Sequence, residues 1–106
     1  MKPILNQSAR KEMAKAVTDC TLNFGKRIEE DFVSIIEHNL VLLAENPQMG
    51  QRRPELDTPR RQMRSLLVHE HFQLIYYYHE SKATVYIVSL WDTRKNPVGL
   101  RRHIRR

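Results

Sequence analysis

Residues 71–92, HFQLIYYYHESKATVYIVSLWD, decide the fold. Two runs rich in Tyr, Ile, Val and Phe, His71–His79 and Ala83–Asp92, flank the short polar connection Glu80-Ser81-Lys82. Aromatic and β-branched runs separated by such a break predict a β-hairpin. With a period of two, Phe72, Leu74, Tyr76 and Tyr78 share one face of its first strand, and His71, Ile75, Tyr77 and His79 share the other. Both faces carry large apolar groups. One should bury a layer of helices, and the other is a candidate ligand surface.

Upstream of the hairpin the period changes. Ala9, Met13, Ala16/Val17, Cys20 and Phe24 recur every three or four residues, as do Ile28, Phe32, Ile35/Ile36, Asn39 and Leu42/Leu43. These are two helical stripes. Asn6 stands where an N-cap would, Gly25 punctuates the stripes, and Asn46-Pro47 stops the second. Two helices joined by a glycine corner lie antiparallel, with their stripes towards a third element. Ile4 and Leu5 fit a short strand over Lys2–Leu5. Gln51–Arg60, with two prolines and no apolar period, reads as a loop. Arg61–Val68 alternates loosely as a further strand, Met63 and Leu67 against Gln62 and Arg64. The expected fold class is therefore α+β: an N-terminal strand and an antiparallel helical hairpin packed on an antiparallel sheet, in the order β-α-α-β-β-β, with room for a short C-terminal helix. Residues 1–100 form a single domain on this reading. Residues 101–106 form a basic tail, too short and too charged to fold alone and so expected to fray.

The 106 residues provide for one modest core, and 41% apolar content matches a folded chain. No apolar run approaches the roughly 20 residues that span a bilayer. The start, Met1–Asn6, lacks the pattern of a signal peptide. The single cysteine, Cys20, cannot form an internal disulfide, and its place on a helical stripe makes it core rather than nucleophile. A cytoplasmic location is expected, with no membrane partner.

Charge is divided along the chain. Residues 1–50 hold six Lys/Arg against seven Asp/Glu, and residues 51–106 hold twelve against five, including ten of the twelve arginines. Arginine presents a rigid fork of donors that matches phosphate and carboxylate, so the second half should meet a nucleic acid or an acidic protein segment. His69, His71 and His79 have no Asp, Glu or Cys at ligand spacing beside them, and no metal or other cofactor is expected. With only Gly25, Gly50 and Gly99, the chain has no glycine-rich phosphate loop. Glu29-Glu30-Asp31 at the start of the second helix complements its dipole. What remains is a set of cations and aromatics on and around the sheet. Arg60, Arg61, Arg64, Tyr77, Trp91 and Arg94 are the candidate binding residues. Were the protein to cleave RNA without metal, Arg64, Arg94, His71 and Tyr78 would be the groups to stabilise a phosphorane and move protons.

The joints of the chain carry a resemblance. Phe24-Gly25 at the helical corner, Leu43-Ala44-Glu45-Asn46-Pro47-Gln48-Met49-Gly50, the strand Met63–Val68, the hairpin strand Phe72–Tyr77 and the last strand Val85–Arg94 together resemble the RelE/ParE superfamily of type II toxins, also called plasmid-stabilisation proteins. The likeness spans residues 1–97. It implies a toxin silenced by a cognate, acidic antitoxin in a hetero-oligomeric complex. RelE-like members cut mRNA on the ribosome, whereas ParE-like members bind and poison DNA gyrase. RelE-like nucleases carry an arginine directly after the aromatic that opens the penultimate strand, where this chain has Gln73 after Phe72. That departure, and the Asn-Pro-x-Met-Gly turn, favour the ParE-like branch. A ribosome-dependent endonuclease is the alternative, and a binding module that only regulates transcription with its partner is a second.

Overall fold

A computed structural model describes residues 3–95 and 97–104, for 97 and 98 the backbone alone. Lys2 in the expected first strand and Arg105 and Arg106 in the expected tail lie outside the described residues. Asn6 caps the first helix through its side chain, whose Oδ1 accepts the Ala9 N–H at 2.8 Å. Strand β1 (Ile4–Leu5) precedes this cap, and α1 (Gln7–Phe24) and α2 (Lys26–Glu45) follow, turning at Gly25. Gly25 has φ +87°, a conformation that a Cβ strains, and its N–H closes α1 on Thr21 O at 2.9 Å.

The sheet contains β2 (Gln51–Arg52), β3 (Met63–His69), β4 (Phe72–His79) and β5 (Thr84–Asp92) beside β1, in the order β1-β5-β4-β3-β2. β1 runs parallel to β5 and every other pair is antiparallel. The helices cover one face, so the α+β architecture expected from the sequence is the one observed. Ala9, Phe32, Ile36, Leu43, Leu74, Tyr76 and Ile87 bury themselves between hairpin and sheet.

The opposite face is also covered. A one-turn 3₁₀ helix, Pro54–Leu56, inserts Leu56, and α3 (Pro97–Ile104) inserts Leu100, over Met63, Ile75, Val88 and Trp91. Two details differ from the sequence reading. The Gln51–Arg60 loop contains an edge strand and this buried turn. Residues 101–104, expected to fray, continue a helix anchored by Leu100, with Ile104 packed on the same cluster. Pro97 suits a first helical position, and Arg101, Arg102 and His103 complement the helix C-terminus.

Two irregularities set side-chain directions. The β4–β5 register shifts between Ile75 and Tyr76, leaving Val88 as the extra residue, and both Ile75 and Tyr76 are fully buried on opposite faces. The β3–β4 register shifts between Leu67 and His69, which turns His69 to the helical side.

Candidate functional site

The helical corner overhangs the end of the sheet. Its stripe therefore runs beyond what β3, β4 and β5 can cover: Phe24 is 69% exposed and Ile28 46%. Between this overhang and the strand ends lies a cleft of about 570 Å³. Its apolar wall is Cys20, Phe24, Ile28 and Phe32. The Phe32 ring meets the His69 imidazole edge-on at 5.3 Å and tilts against Phe72 at 5.5 Å. The rim is charged. Glu70 and His71 come from the β3–β4 turn, Asp92 ends β5, and Arg94 and Lys95 follow it. Arg94 grips Asp92 bidentately, Nε to Oδ1 at 3.0 Å and Nη2 to Oδ2 at 2.8 Å. These hydrogen bonds hold the Asp92 carboxyl below the usual carboxylate range and push the Arg94 guanidinium up. Among the described residues, no three His, Cys, Asp or Glu side chains converge as a metal centre would.

The face opposite the helical hairpin carries a second constellation. The Arg61 guanidinium lies 4.6 Å from the centre of the Tyr77 ring, Tyr77 stacks on Tyr86 at 5.3 Å, and His79 meets Tyr86 edge-on at 6.3 Å. Arg60 is exposed beside Arg61. On the same face Arg53 Nη1 donates to Ser65 Oγ at 3.2 Å and to Gln73 Oε1 at 3.4 Å, while its Nε donates to Glu55 at 3.0 Å. A guanidinium thus reaches Gln73 from another strand end. Sequence spacing gave no sign of it, because twenty residues separate the two.

The candidates named from sequence do not gather at one point. Arg64 donates to Gln48 O at 3.2 Å and Gly50 O at 2.8 Å, spending its charge on the turn after α2. It pairs with Tyr76, four residues along β4 from Phe72 and so about 13 Å from the cleft end. His71 and Arg94 line the cleft together. Tyr78 stands near the far end of β4, 38% exposed. Arg61 and Tyr77 touch. Trp91, expected at a binding surface, is only 8% exposed, because α3 passes over it and Lys95 lies 5.5 Å from its ring.

No helix among the described residues is long and apolar enough to cross a membrane. A family model described as the ParE toxin of type II toxin-antitoxin system, parDE, matches residues 4–97. No curated protein matches the chain.

Proposed function

The chain belongs to the ParE toxin family of type II toxin-antitoxin systems, and from that premise we propose that it stops growth by binding a protein target such as DNA gyrase, without cutting nucleic acid. Membership of the family brings a cognate antitoxin as partner. The excess of cations in the second half supports an acidic antitoxin segment on the sheet side of the molecule.

One observation carries the non-catalytic reading. Metal-free RNA cleavage requires a base, an acid and a cation within hydrogen-bond reach of one phosphate. Here Arg64 is committed to two backbone carbonyls and Arg94 to Asp92, and His71 and Tyr78 stand towards opposite ends of β4. The second reading, a ribosome-dependent nuclease, draws on Arg53, whose guanidinium lies against Ser65 and Gln73.

Purified toxin added in excess to gyrase should abolish supercoiling and leave ribosome-bound mRNA intact. Undiminished supercoiling together with mRNA cut in the ribosomal A site would sink the proposal and select the nuclease.

A further inference from the structure

A smaller hollow of about 160 Å³ opens where the start of α1, the turn before β3 and the C-terminal helix meet. Its polar walls are Asn6, Ser8, Thr58, Arg61 and His103. The geometry points to a phosphate-binding pocket.

The walls are held in place before any ligand arrives. Thr58 and Arg61 exchange both backbone hydrogen bonds, at 3.1 and 3.2 Å, around Pro59-Arg60. Residues directly opposed in an antiparallel pair send their side chains to the same side, so the Thr58 hydroxyl and the Arg61 guanidinium start out together. The Tyr77 ring against Arg61 fixes the guanidinium further, which lowers the entropy lost when it binds. Asn6 spends Oδ1 on the Ala9 N–H, which leaves its amide NH₂ as a donor.

The charges fit an anion. Arg52, Arg53 and Arg94 each face a carboxylate, whereas among the described residues Arg61 takes part in no ion pair. No Asp or Glu lines the hollow, and the first turn of α1 holds none. The neighbouring Asp57 is gripped by Arg52. Glu12, outside the lining, is 3.6 Å from His103 Nε2 and is the carboxylate that faces that ring. A guanidinium fork, two hydroxyls and an amide NH₂ offer donors in number, which is what phosphate, a multiple acceptor, requires. The hollow takes one phosphate group and leaves the rest of an ester outside; Arg60, next in the chain to Arg61, is exposed and does not line it. Its ligand is therefore a phosphate, either free or from a nucleic-acid backbone. This assignment goes beyond the target-binding reading and stands without it.

The test titrates inorganic phosphate, and separately a six-nucleotide single-stranded DNA, into the full chain at constant ionic strength, followed by backbone amide NMR. Saturable phosphate shifts at Ser8, Thr58 and Arg61 are expected. Arg61→Gln and Thr58→Val should each weaken phosphate binding, the former about tenfold, since it removes a charged hydrogen-bonding partner. Both variants must keep the dispersed spectrum of a folded chain, and Thr58→Val leaves the backbone pair intact. If Arg61→Gln weakens the oligonucleotide more than Arg60→Gln does, the phosphate comes from a strand. If it weakens inorganic phosphate alone, the pocket serves the free ion. Shifts that never saturate, or that survive both variants unchanged, overturn the pocket.

Discussion

The hydroxyl of Tyr76 closes the turn after α2 from within: it accepts from Gly50 N–H at 2.9 Å and donates to Pro47 O at 2.8 Å. The ring is fully buried, and burial raises the pKa of its phenol. A Cβ at Gly50 would lie 2.5 Å from that hydroxyl oxygen and 2.7 Å from Ser65 O, so glycine is required here for space. This contact gives the Asn-Pro-x-Met-Gly block a physical meaning, with Arg64 bracing the same turn from outside. Tyr76→Phe orphans one N–H and one carbonyl, and it should cost about 1–3 kcal/mol in urea unfolding with an unchanged m value. Gly50→Ala should cost a similar amount, about 1–3 kcal/mol, through overpacking against backbone that cannot yield. Wild-type midpoints for both variants would show that the turn is held by other means.

The segment between β2 and β3 is organised by one carboxylate. Asp57 accepts two hydrogen bonds from Arg52, at 3.0 and 2.8 Å, and one from the Met63 N–H at 2.7 Å. The Arg52 hydrogen bonds are the main reason that the Asp57 carboxyl lies below its usual range, with partial burial acting the other way. A depressed folded-state pKa means stability that is present above the ordinary Asp value near 4 and is lost as the pH falls through the lower folded value. Asp57→Asn should therefore cost about 1–3 kcal/mol at pH 7. The gap between variant and wild-type urea midpoints should narrow as the pH drops from about 5 towards 2. A gap constant with pH would remove Asp57 from the acid response. This segment also marks where sequence reading stops. The helices were legible because Gly25, Asn46-Pro47 and a regular apolar spacing are local signals, and α1 and α2 end where those residues stand. The two-residue β2 and the turn that buries Leu56 have no period, and they exist through Arg52, Asp57 and Met63 meeting in space. The candidate site was legible only as composition. His71 and Arg94 come together across a cleft, but the partners of Arg64 are carbonyls of a turn that forms only in the folded chain. A short C-terminal helix was allowed for, but the arginines around Leu100 and Ile104 masked its continuation through residues 101–104.

On the scale of the molecule, a single sheet separates two apolar clusters, one under the helical hairpin and one under α3 and the 3₁₀ turn. Leu100, 1% exposed, is the main anchor of α3 in the second cluster, and the position of Gly99 would place a Cβ 3.7 Å from the Trp91 ring. Leu100→Ala should cost about 2–5 kcal/mol. Because α3 shields Trp91, the folded variant should also show red-shifted indole emission. Unchanged emission and stability would mean that the strands protect Trp91 without the helix. The charge division follows the same layering: near-balanced helices on one side, and on the other a sheet face carrying Arg53 and Arg61 with α3 bringing Arg101 and Arg102.

The parallel pairing of β1 with β5 joins Ile4 to Tyr86 and Leu5 to Ile87. During synthesis the first strand must wait for a partner made about eighty residues later, an interval on the order of ten seconds at ordinary elongation rates. The sheet therefore completes only once β5 has been synthesised. A message cut short before the codons of β5 yields a chain without the strand that pairs with both β1 and β4. The order of the strands thus sets the earliest point in synthesis at which the sheet can be complete.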